Sequence, residues 1–155
     1  MELSKIREYV LTQIGDTKAL GSKKFPKRTQ QKIIRLCTPI IREHYRAVAR
    51  YSDYKTFTTF WDEDYVNDRG EFTSVEWYGG NAQFLEFRYE DAMMGNYYAV
   101  DVKMPISWLD DDSIEEYENE VSSSIIDEIN GRINLLQDEI CELRKKRETI
   151  KRRKR

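Results

Sequence analysis

One histidine, two cysteines and three prolines among 155 residues leave little room for metal or thiol chemistry. Cys37 and Cys141 cannot make a disulfide framework, and no four-cysteine zinc site forms within one chain. His44 follows Cys37 on about the same helical side, but no further His or Cys lies near enough in sequence to complete a zinc set or a nucleophile and base pair. No catalytic residue, metal or cofactor is therefore assigned. No apolar run approaches the roughly 18 residues of a membrane span, and Met1 to Arg7 lacks a secretory leader pattern. The expectation is a protein without membrane association, in a reducing, cytoplasmic setting.

Net charge is also small, at -2, but it is strongly segregated. Residues 1–50 carry 12 basic and 4 acidic side chains, and residues 51–113 carry 4 and 14. Residues 114–143 carry 1 and 9, and residues 144–155 carry 9 and 1. Basic ends flank an acidic middle. Such blocks neutralise each other within the fold or between chains, or the basic ones meet phosphate.

The longest regular pattern lies in Ser113 to Arg155. Ile114, Tyr117, Val121, Ile125, Ile129, Ile133, Leu136, Ile140, Leu143 and Ile150 recur at steps of three or four, with Arg147 holding the one skipped position, and line one helical face. From Ile129 the steps alternate four and three, the a/d spacing of a coiled coil, with Glu139 and Arg144 where a flanking ion pair between chains would sit. Upstream the four-residue steps suit packing on a globular body. Asp110, Asp111, Asp112 and Ser113 suit the helix start, and the terminal cations suit its end. Asn130 and Gly131 leave two readings open, because Asn-Gly is a turn dipeptide and glycine costs a helix about 1 kcal/mol. Either the helix continues and its distal stripe needs another chain, or it folds back as a hairpin that lays Glu115, Glu116, Glu118 and Glu120 on the basic end. Ile129 and Ile133 keep phase across the glycine, which favours continuity.

At the other end Leu3, Ile6, Val10 and Ile14 predict a short helix stopped by Gly15. Residues 15–28 read as a basic loop carrying Lys18, Lys23, Lys24, Lys27 and Arg28. It is no P-loop, since Gly15 and Gly21 are six apart where five are needed and Ser22 precedes Lys23. Thr29 is the expected cap of a second helix, and Pro39, with Thr38 as cap, the expected restart of a third reaching about Tyr51. The 14-residue loop is too long for a DNA-reading helix-turn-helix.

Between Tyr54 and Leu109 the period changes to two. Thr56–Trp61, Phe72–Tyr78, Gln83–Tyr89 and Tyr97–Met104 predict four antiparallel strands, with turns at Asn67–Gly70, Gly79–Asn81 and Met94–Asn96. Tyr98, Val100, Val102 and Met104 face one way, and Tyr97, Ala99, Asp101 and Lys103 the other. Trp108 and Leu109 are expected to plug the joint to the long helix. Asp62, Glu63, Asp64, Asp68 and Gly70 look like a calcium loop, but Val66 and Arg69 occupy positions that need an oxygen ligand and a glycine. Asp101, Val102 and Lys103 resemble the D-x-K half-motif of the restriction-endonuclease-like nucleases, with Glu86 or Asp91 as a second carboxylate. The preceding Pro-Asp pair is missing, and cross-strand salt bridges explain the same charges.

The resulting expectation is an α+β fold: N-terminal helices, a four-stranded antiparallel β-meander and a long C-terminal helix or coiled coil. Residues 1–112 would form the globular domain and 113–155 the helix with its basic tail. The expected function is non-enzymatic protein binding and assembly, as a homo-oligomer joined through Ile129, Ile133, Leu136, Ile140 and Leu143. A protein partner would meet an acidic, aromatic surface comprising Glu63, Asp64, Trp77, Tyr78, Glu86, Tyr97, Glu115 and Glu116. In surface type this is similar to phage-encoded inhibitors of host defence that mimic nucleic acid before a host enzyme. The alternatives are nucleic-acid binding through Lys23, Lys24, Lys27, Arg28, Arg152 and Arg153, and the weaker D-x-K nuclease.

Overall fold

The structure is a computed structural model of the chain. It describes residues 2–54, 72–81, 83–93 and 96–154. Two compact units make up the chain, Met1–Glu118 and Asn119–Arg155.

Helix α1 spans Leu3–Ile14 and buries Ile6, Val10 and Ile14, the residues its periodicity selects. Gly15, at φ 78°, ends it and donates its amide to Leu11 O at 2.9 Å. The carbonyls left open there are met from outside the helix, because Lys23 Nζ donates to Gln13 O at 2.9 Å and to Ile14 O at 3.3 Å.

Residues 15–28 are not wholly loop. Ser22–Lys24 forms strand β1, which pairs antiparallel with β2 (Ser74–Tyr78) and places Lys23 opposite Trp77. Three exposed residues without an apolar member carry no period-two signal, so the pattern could not announce this strand. The sheet continues with β3 (Phe84–Met93) and β4 (Asn96–Pro105), in the order β1-β2-β3-β4, antiparallel throughout. Among the described residues the sheet has four strands, the number expected, although β1 supplies its first member. Thr56–Trp61, the turn at Asn67–Gly70, and Glu63 and Asp64 lie outside the described residues.

Helix α2 spans Lys27–Val48, where the sequence led us to expect two helices parted at Pro39. It begins without Thr29 as its cap: Pro26 precedes it and Gln30 N donates to Pro26 O at 2.9 Å. A proline inside a helix removes one amide donor and crowds the preceding turn. Here Pro39 is exposed, while Ile33, Cys37, Ile40, Ile41, His44, Tyr45 and Val48 stay in phase across it and are all buried. Burial of that stripe outweighs the one lost bond, and the helix runs through. A 3-10 turn, Ala49–Tyr54, follows.

The core lies where α2 packs on β2 and on α1. Val75, Trp77, Leu85, Phe87, Val102 and Met104 point to one sheet face and are buried. Gln30 Oε1 accepts the Val75 amide at 3.3 Å, tying the start of α2 to β2. A second 3-10 turn, Ile106–Leu109, buries Trp108 and Leu109 ahead of the last helix.

That helix, α3, spans Ser113–Arg153 without interruption, 41 residues or about 60 Å. Continuity through Asn130 and Gly131 excludes the hairpin reading. Acidic residues Glu115 and Glu116 sit in its first turn and Lys151, Arg152 and Arg153 in its last, each at the favourable end of the helix dipole.

Candidate functional site

Three surfaces and one buried cluster carry the chemistry of the described residues. The first surface is the distal stripe of α3. Val121 and Ile125 are buried, but downstream Ile129, Ile133, Leu136 and Ile140 are 43–47% exposed, and Leu143 and Ile150 57%. Ile126 is also exposed. The helix keeps apolar residues on one face for 25 residues, from Ile126 to Ile150, and leaves them about half in water.

The second surface is the polar side of the sheet. Strand register sets Lys24 opposite Glu76, Glu76 opposite Glu86, and Glu86 opposite Lys103, a row of four charges crossing every strand. Two like charges meet at its centre, with a lysine outside each. Beside them the Tyr78 and Phe84 rings stack at 5.1 Å, the Tyr78 hydroxyl lies 3.2 Å from Glu76 Oε2, and Lys103 Nζ lies 5.1 Å from the Phe84 ring centre. Partial desolvation, then the Glu76 and Glu86 carboxylates, hold the Tyr78 phenol above its ordinary range.

Tyr78 and Glu86 thus share one face, while Trp77 does not belong to it: it is 2% exposed and points into the core. Tyr97 pairs with Ala92 in the sheet register. Glu115 and Glu116 are exposed in the first turn of α3. The D-x-K residues do lie on the polar face, but Asp101 Oδ1 is 3.5 Å from Arg88 Nε and Lys103 is registered with Glu86. Asp91 pairs with Tyr98 in the register. Among the described residues, no group of three His, Cys, Asp or Glu is placed to hold a metal ion. Cross-strand pairing with Arg88 accounts for Asp101.

The third surface is the outer side of α2. Arg28, Lys32, Arg35, Pro39, Arg42 and Arg46 succeed one another at steps of four and three, so they line one face, and Glu43 is the single acidic residue in the helix. Two grooves flank it, of about 590 Å³ beside Arg35, Pro39, Arg42 and Phe72, and about 450 Å³ beside Tyr9, Arg28, Lys32 and Arg35. Lys32 Nζ lies 4.1 Å from the Tyr9 ring centre. Sequence reasoning had placed the cations in the loop; Lys24, Lys27 and Arg28 are exposed, but Lys23 is engaged on the end of α1. The stripe on α2 was missed because a helix broken at Pro39 would not align its two halves. Arg152 and Arg153 lie exposed in the last turn of α3.

The buried cluster joins residues 69 apart in sequence. His44 Nδ1 lies 2.7 Å from Ile40 O and Nε2 lies 3.0 Å from Ser113 Oγ, which is 2.9 Å from Trp108 O. The imidazole stacks on Trp108 at 4.1 Å and 4°, with Tyr117 and Tyr45 edging the pair. A carbonyl only accepts, so Nδ1 carries a hydrogen. The single Ser113 hydroxyl hydrogen then serves either His44 Nε2 or Trp108 O. Burial lowers the His44 pKa, outweighing the opposing pull of the Ile40 carbonyl and Glu43. His44 is 1% exposed and Ser113 5%. No substrate reaches such a pair, and its work is to seat the first residue of α3. Burial also pushes the Cys37 thiol up to about 12 and raises the Tyr45 phenol.

Comparison with known proteins supplies no relative. No protein-family model, no curated protein and no solved structure matches the chain. Functional inference therefore rests on these surfaces. No helix among the described residues is long and apolar enough to cross a membrane.

Proposed function

We propose that the chain is a non-enzymatic assembly protein that associates with copies of itself through the distal stripe of α3 and offers its globular unit to a protein partner. The observation that carries this reading is the exposed seam. Seven apolar residues at a and d spacing, Ile126, Ile129, Ile133, Leu136, Ile140, Leu143 and Ile150, remain about half exposed. Completing their burial is worth about 1 kcal/mol each, taking half of the full side-chain value. Two chains then gain on the order of 14 kcal/mol, against an association cost of roughly 4–15 kcal/mol. The assembly is accordingly modest in affinity and concentration-dependent.

The polar sheet face, with the Tyr78 and Phe84 stack beside Glu76 and Glu86, and the acidic first turn of α3 supply the partner surface. With 14 acidic against 4 basic side chains in residues 51–113, a basic protein groove is the complementary partner. A nucleic-acid enzyme that meets the chain as a decoy, in the manner of phage-type inhibitors, falls in that class. The test of assembly is thermal unfolding, followed by the helix signal over a hundred-fold range of protein concentration. A transition that rises with concentration is expected. One that does not move would remove the proposal.

A second reading is favoured by the cationic face of α2, which, together with Lys24, Lys27 and the last turn of α3, would bind phosphate backbones. If it does, log affinity for a DNA or RNA duplex falls steeply with log salt. No binding in dilute salt eliminates this reading and leaves the first untouched.

A further inference from the structure

We propose that two copies of the chain pair antiparallel along α3, centred between Asn134 and Leu135, with Arg132 of each copy facing Glu139 of the other. This rests on the assembly reading above and adds orientation and register to it.

Lettering the seam as heptads makes Ile126, Ile133, Ile140 and Arg147 the a positions and Ile129, Leu136, Leu143 and Ile150 the d positions. The apolar layers alone do not choose an orientation. Charge does. In a parallel, in-register pair each a position meets its own counterpart, so Arg147 would face Arg147 inside the seam. Lys146 would flank Lys151, and both basic ends, nine cations each in residues 144–155, would lie side by side. Only Glu139 against Arg144 would favour that arrangement.

In an antiparallel pair a positions face d positions, and e and g positions flank their own kind. At the proposed register Ile126 meets Leu143 of the second copy, Ile129 meets Ile140, and Ile133 meets Leu136, each contact occurring twice. Arg147 then meets Ser122, polar against polar, and Ile150 meets Asn119. The flanks carry Arg132 against Glu139 twice, Asn130 against Gln137, and Lys151 against Glu116, with no like charges opposed. A slip of one heptad in one direction sets Glu139 on Glu139 and Arg132 on Lys146. A slip in the other sets Arg132 on Arg132. The register is thus selected on both sides.

The ion pairs within one chain point the same way. Along the basic end, Lys145 pairs with Glu142, and Arg147 and Lys151 with Glu148, at 3.4–3.7 Å. Arg132 and Glu139 are exposed, and among the described residues neither has an ion-pair partner in its own chain. They lie seven residues apart on the same face, too far to meet each other along one helix. The antiparallel register gives each a partner of opposite charge.

The test uses the full chain with Cys141→Ser, carrying either Ile126→Cys or Leu143→Cys, under mild oxidation and with solution mass measured in parallel. Expected are a mass of two chains, a disulfide between the two variants when mixed, and none from Leu143→Cys alone, whose thiols would be about 25 Å apart along the axis. A Leu143→Cys homodimer would establish the parallel arrangement and overturn the proposal. A two-chain mass without the mixed disulfide would overturn the register while leaving assembly intact. A single-chain mass would instead defeat the assembly reading itself. In the same chain Arg132→Glu weakens association about ten-fold, and adding Glu139→Arg restores it. Failure of the double variant to recover also overturns the proposal, because only the antiparallel register lets the exchanged charges meet.

Discussion

Acid should destabilise this protein through His44, and the size of the effect follows from the cluster around it. His44 is the only histidine in the chain, so between pH 7.5 and 5.5 it dominates side-chain proton uptake. In the folded state its pKa is lowered by burial, the residue being 1% exposed and stacked on Trp108. In the unfolded chain it titrates near 6.5. A depressed folded pKa on a base means that the unfolded state binds the extra proton. Stability is therefore fully present above about pH 6.5 and is lost as pH falls below it. At pH 5.5 the loss approaches about 1.4 kcal/mol if the folded ring stays neutral, which lowers a urea midpoint by about 0.5–1 M. Urea unfolding at pH 7.5, 6.5 and 5.5, at one protein concentration, measures this directly. His44→Gln should unfold more easily at every pH yet lose the slope. A wild-type midpoint that is flat or rises on acidification, or a slope that His44→Gln retains, would refute the reasoning.

Two glycines should respond to alanine with opposite signs. A Cβ on Gly79 would sit 2.0 Å from Ala19 O, a backbone atom that cannot step aside, and would disturb the Gly79 amide bond to Gly21 O; Gly79→Ala should cost about 2–4 kcal/mol. Gly131 lies inside α3 with nothing within 4 Å of the added carbon, so Gly131→Ala should gain about 1 kcal/mol, and thermal unfolding of both variants checks the pair. The thiols should differ as sharply. Cys37 is buried with its pKa pushed up to about 12 and Cys141 is exposed, so a chromogenic thiol reagent at pH 8 should modify one thiol per native chain and two in denaturant.

What was legible in the sequence was whatever repeats. The stripe Ile6, Val10, Ile14, the alternation that puts Val102 and Met104 on one face, and the phase from Ile129 to Leu143 each forecast an element and its buried or apolar face. Features set by partners distant in sequence were not legible. Strand β1 exists because Ser22 to Lys24 find an open edge on β2, and their own residues show no strand pattern. Pro39 misled because its local cost is visible in sequence, whereas the compensating burial on both sides of it is a property of the assembled core. Trp77 sits between Glu76 and Tyr78, two half-exposed residues, and only the pleat sends it inward. Ser113 had a local signal as a helix-start residue, but nothing near it announced His44 as its partner.

The central claim is that α3 is completed by a second copy, and solution mass by light scattering on the full chain tests it most directly. At tens of micromolar the expected value is twice the 18.6 kDa chain mass, falling to the single-chain value when Leu136 and Leu143 are both replaced by lysine. A single-chain mass for the unaltered protein at that concentration would contradict the account, as would a lysine variant that keeps the mass of the pair.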